Sequence, residues 1–131
     1  MKINKLMLGD LVHLADGQIA KVVAIDATGN VDVEFKTKSF RHHVNAHKED
    51  IEPIPLAEEI LLGNDFEKTG SFIEVTEYAL RENGLCIFYD KEGKYFYAEI
   101  ANINIEIEYV HQLQHLLRMC GRGDISNNLK I

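Results

Sequence analysis

The chain has 131 residues, 46% hydrophobic and 27% charged, which is the composition of a folded globular protein rather than a disordered one. Its net charge is −7, so the surface as a whole repels nucleic acid. No run nears the ~20 apolar residues that a membrane helix needs, and Met1–Leu6 leads into Gly9-Asp10 without the apolar core of a signal peptide, so a cytoplasmic protein is expected.

From Leu6 to Phe35 the text predicts strands and turns. Asp10-Leu11-Val12-His13-Leu14 ends at the hairpin signal Asp16-Gly17. Gln18–Asp26 is rich in β-branched residues and reads as a second strand. After Thr28-Gly29-Asn30, Val31, Val33 and Phe35 alternate with Asp32 and Glu34. Three short strands cannot bury their apolar face alone, so residues 1–55 are expected to curl into a small SH3-like barrel. Phe40–Asp50 is polar and irregular and reads as a loop. Pro53 and Pro55 exclude a central strand and predict an edge or connector. Leu56–Leu62 predicts a short helix, with Glu58 and Glu59 in its first turn, where negative charge suits the dipole.

The rest, residues 56–131, predicts an antiparallel sheet with a packed carboxy-terminal helix. Ser71–Leu80, Leu85–Tyr89 and Tyr95–Ile100 read as a meander turned at Glu82-Asn83-Gly84 and at Asp90–Gly93. Ile103–Glu108 alternates strictly and predicts a fourth strand. Val110, Leu113, Leu117 and Cys120 recur at helical spacing, Leu116 widens that stripe, and Gly121 and Gly123 close the helix. Residues 124–131 read as a loose tail. The fold class is therefore α+β, mostly β.

Leu8-Gly9-Asp10-Leu11-Val12, Ile51–Leu56 with Glu59-Ile60-Leu61, and Tyr109–His115 with Leu117–Gly121 stand in the order seen in one family. In these pieces the sequence resembles an uncharacterised family of small proteins from gut-anaerobe bacteria and their phages. That resemblance implies a shared fold and a link to mobile elements, and it carries no catalytic residue. The first part, through Gly9-Asp10 and Ala20–Ile25, also resembles SH3-like barrels of the Tudor and KOW kind, whose ligands differ widely.

Charge is unevenly spread. Residues 1–55 hold seven basic and eight acidic side chains, a sum of −1, and residues 56–131 hold seven and thirteen, a sum of −6. Against that trend, Lys36–Lys48 carries Lys36, Lys38, Arg41 and Lys48 with no acid. These cations suit phosphates, Phe40 suits stacking on a base, and His42, His43 and His47 add charge below about pH 6.5. As an exposed loop, this stretch is the expected contact surface, for a protein partner or for nucleic acid.

Metal chemistry is the contrasting hypothesis. His111 and His115 are four apart on the predicted helix, the spacing of zinc proteases, but the residue after the first histidine is Gln112, an amide that cannot serve as general base. These two histidines read instead as part of a polar helix face. His42, His43 and His47 lack a nearby cysteine and fall short of a four-ligand site. Cys86 and Cys120 sit among apolar neighbours and read as small hydrophobes. Of Tyr95-Phe96-Tyr97, Phe96 is expected in the core. Ile103, Ile105 and Ile107 read as core or, if exposed at an edge, as a surface for a homodimer. There is no Gly-x-Ser-x-Gly and no phosphate loop. The expectation is a non-enzymatic interaction module without a cofactor, binding a protein partner. A nucleic-acid-binding accessory protein of a mobile element is the alternative, and a metal-dependent hydrolase is disfavoured.

Overall fold

The computed structural model describes residues 6–37, 40–81 and 84–131. The Met1–Lys5 stretch, Lys38 and the Glu82-Asn83 part of the expected turn lie outside the described residues. The architecture is α+β and mostly β, with two antiparallel five-stranded sheets. The chain divides into two compact units, the first ending at Ile54 and the second beginning at Pro55.

The first unit comprises β1 (Leu11–Leu14), β2 (Ile19–Ile25), β3 (Asn30–Lys36), β4 (Arg41–His47), a single 3-10 turn (Lys48–Asp50) and β5 (Ile51–Pro53). The strands lie in the order β4-β3-β2-β1-β5. At the β1–β2 turn the Asp16 carboxylate accepts the Gln18 N–H at 2.9 Å, and at the β2–β3 turn the Asp26 carboxylate accepts the N–H groups of Thr28 and Asn30 at 2.8 and 3.0 Å. Such local acceptors are why Asp-containing clusters turn chains. Alternation then sends Val12, Ala20, Val22, Val31 and Val33 to one face, where they form a core with Leu6 and Ile51. A bulge between Val22 and Ala24 bends β2.

Two expectations for this unit need correction. The barrel is not closed: β4 and β5 are the two edges of the sheet and do not pair with each other. β5 spans only three residues, and Pro53 within it has no N–H to give a further strand. Second, the expected Phe40–Asp50 loop is mostly strand. β4 pairs with β3 over seven residues, from Lys36 opposite Arg41 to Asn30 opposite His47. Its alternation is hidden in the text because both faces carry polar groups.

The second unit runs α1 (Glu58–Leu62), β6 (Phe66–Ser71), β7 (Val75–Leu80), β8 (Cys86–Asp90), β9 (Tyr95–Ile100), β10 (Ile103–Ile107), α2 (Val110–Met119) and α3 (Gly123–Asn127). Its sheet is a simple meander in the order β10-β9-β8-β7-β6. The expected single strand at Ser71–Leu80 is instead the end of a hairpin whose first arm, β6, went unpredicted: only Phe66 of that arm is buried, so no alternation marks it. Leu80, Ile87, Phe96 and Ile107 meet Leu113, Leu116 and Leu117 of α2 in one core. Each such side chain contributes about 1.5–3 kcal/mol on burial. The expected loose tail holds α3, because Ile125 is buried in this core and the Gln114 amide donates to the Ser126 carbonyl at 3.1 Å. β10 is an edge strand, and its Ile103 and Ile105 are exposed while Ile107 is buried. No helix among the described residues is long and apolar enough to cross a membrane.

Candidate functional site

The β3–β4 hairpin places the cationic stretch. Phe35 faces His42, Glu34 faces His43, and Val33 faces Val44. Since successive strand residues point to opposite faces, the neighbouring histidines are separated by the strand itself. The His42 ring stacks on Phe35 with centroids 4.9 Å apart and meets Phe40 edge-on at 6.3 Å. Its Nε2 lies 3.3 Å from the Thr37 hydroxyl. On the other face Arg41 Nε is 2.7 Å from one Glu34 oxygen, and His43 Nε2 is 3.6 Å from the other.

The predicted cations do not make one patch. Lys36 and Arg41 sit together at one end of the hairpin, whereas Lys48 lies beyond the opposite end of β4, roughly 20 Å away at the rise of a strand. There its N–H donates to the Gly29 carbonyl at 3.1 Å, and its aliphatic stem runs beside that glycine, 3.5 Å from where a Cβ would stand. Lys38 is outside the described residues. Phe40 is 70% exposed. His47 serves the 3-10 turn, its Nδ1 accepting the Glu49 N–H at 3.3 Å. His42, His43 and His47 thus have three separate local roles.

A feature that the text did not single out joins Lys36 and Arg41. A groove of about 510 Å³ runs beside them, and Lys21, Glu34 and Phe35 help to line it. Lys21 stands opposite Glu34 in the β2–β3 register. Three cationic side chains therefore border one carboxylate, a local sum of +2 that suits an added anionic group. The shared strand parity of Glu34 and Lys36 was the available signal, but Lys21 needed the register. Along the same margin β4 pairs with β3 alone among the described strands, so its outer backbone edge is open.

The carboxy-terminal histidines have a different setting. His111 is buried on the inner side of α2 with Val110 and Leu113, not on a polar face as expected. Its ring stacks on Tyr109 at 5.8 Å and meets His115 edge-on at 5.6 Å. Gln112, in the position of the missing general base, starts the helix: its amide oxygen accepts the N–H groups of Glu108 and Tyr109 at 2.7 and 3.0 Å. Among the described residues no group of three or more His, Cys, Asp or Glu side chains is assembled to hold a metal ion. Cys86 and Cys120 are both free thiols, and burial together with the neighbouring Glu77 carboxylate pushes the Cys86 thiol up. No protein-family model, no curated protein and no solved structure matches this chain.

Proposed function

We propose that the chain is a non-enzymatic interaction module whose first unit takes an extended, acidic segment of a partner protein along β4. The observation that carries this reading is the coincidence of an open strand edge with the cationic groove of Lys21, Lys36 and Arg41. An added strand gains main-chain hydrogen bonds from such an edge, and side-chain charge selects among candidates. A second copy of β4 is a poor occupant. Laid antiparallel about Val44, it would set Arg41 opposite His47 and bring no acidic side chain to the groove.

Phe40, exposed beside Lys36 and Arg41, supports the second reading, a nucleic-acid-binding accessory protein of a mobile element. Titration of the full chain with an acidic, strand-forming peptide and with a single-stranded oligonucleotide, across salt concentrations, separates the two. Preferential peptide binding that weakens in Lys36→Ala and Arg41→Ala is the expected result. Tighter oligonucleotide binding with a steep loss in salt would replace this reading with the alternative, and binding of neither would remove both.

A further inference from the structure

The second unit holds a cavity of its own, about 580 Å³, bordered by α1, the β8–β9 turn and the end of β10. Its inner wall is aromatic. Tyr78 and Phe96 are buried and Tyr89 is half-buried; the Tyr89 and Phe96 ring centroids are 4.7 Å apart, and those of Tyr78 and Phe96 are 6.3 Å apart. At the mouth, the Tyr95 ring lies so close over Gly93 that a Cβ there would stand 2.5 Å from its Cε1. The rim adds Glu59, Glu106 and Glu108, all exposed.

The chain already seats one of its own cations in this chemistry. Beside the cavity, Lys68 Nζ is 2.7 Å from Glu58 Oε1 and 6.0 Å from the centroid of the Tyr78 ring. An ammonium group is thus held between a carboxylate and an aromatic ring, the pairing by which proteins recognise organic cations. Counting Glu58, Glu59, Glu106 and Glu108 against Lys68 and Lys94 leaves the site at −2. The volume lies within the range of small-ligand sites and far exceeds what a bare metal ion fills. π faces attract alkylammonium ions, whereas a hard divalent ion demands a shell of oxygen ligands.

We propose that this cavity binds an alkylammonium group, its methylenes against Tyr89 and Tyr95 and its charge toward the glutamate rim. The free form would be a polyamine, and the tethered form a lysine side chain of a partner. The site lies wholly in the second unit and does not rest on the β4 reading.

The test is titration of the full chain, at constant ionic strength, with spermidine, with a capped lysine and with Mg²⁺, followed by backbone amide shifts. Saturable shifts confined to the cavity lining, Tyr78, Tyr89, Gly93, Lys94, Glu106 and Glu108, with spermidine are the expected result, with Mg²⁺ unable to compete. The double variant Glu106→Gln/Glu108→Gln, altered only at exposed positions, should bind roughly five- to tenfold more weakly while keeping its spectral dispersion. Comparable binding of the capped lysine assigns the tethered source; binding of spermidine alone assigns the free one. Non-saturable shifts, equal competition by Mg²⁺, or a double variant that binds like the parent would overturn the assignment.

Discussion

Arg41 Nε stands 2.7 Å from the Glu34 carboxylate, reaching diagonally across the β3–β4 ladder to a residue whose direct partner is His43. The pair partly neutralises the face that would receive an acidic segment. Glu34→Gln should therefore tighten binding of an acidic peptide several-fold, as the groove rises from +2 to +3, and leave stability within about 1 kcal/mol. Calorimetric titration of the two proteins measures it, and a weaker variant would mean that Glu34 itself contacts the partner.

The start of α2 depends on one amide. Gln112→Ala removes the acceptor for two backbone N–H groups and should cost about 0.5–2 kcal/mol in urea unfolding. Gln112→Glu keeps the acceptor and places negative charge at the positive end of the helix, so it should hold the parent stability or exceed it. Equal losses in both variants would refute this role.

Gly29 has φ +94°, a conformation that side chains avoid, and a Cβ there would also touch the Lys48 stem. Gly29→Ala should destabilise the chain by about 1–3 kcal/mol, with the loss read in the denaturation midpoint. In the other unit Leu117, fully buried, should cost about 2–5 kcal/mol when cut to Ala.

Two linked ionisations make stability depend on pH. The hydrogen bond from Lys68, followed by that from Tyr78, holds the Glu58 carboxyl below its ordinary value of 4.5. A depressed folded value contributes stability that is present above the unfolded value and disappears as pH falls through the folded one. Burial, then the bond to Glu58, pushes the Tyr78 phenol up to about 12. That raised value contributes stability in full below the unfolded value of 10 and is lost as pH climbs toward the folded one. Glu58→Gln should flatten the acid limb by at most about 1 kcal/mol, because the pair is partly exposed. Ultraviolet titration should show a late phenol ionisation, and its disappearance in Tyr78→Phe tells it from that of Tyr95, which the Asp90 carboxylate also pushes up.

Much of the fold was legible in the text because one-sided burial writes a period into it. Val31, Val33 and Phe35, or Val110, Leu113 and Leu117, announce a strand or a helix wherever one face is apolar and the other wet. β4 and β6 were illegible for the converse reason: His42 interrupts the inner face of β4 beside Val44 and Ala46, and Phe66 is the one deeply buried side chain of its strand. Closure of a barrel is a property of two ends meeting, and nothing local to Ile51–Pro53 states it. The candidate site was half visible. Lys36, Phe40 and Arg41 stand within six residues of sequence, while Lys21 joins them only through the pairing of β2 with β3, and Lys48 leaves them because the strand carries it away.

The bare isoleucines of β10 have a bearing on handling. Ile103 and Ile105 lie uncovered on a margin whose hydrogen-bonding groups face outward, and the segment is short, β-prone and carries a single charge, Glu106. In concentrated solution or during heating, this is where one molecule can template the stacking of the next. Ile105→Lys would install a gatekeeper on that margin and keep dense samples clear, leaving the rest of the sheet as it is.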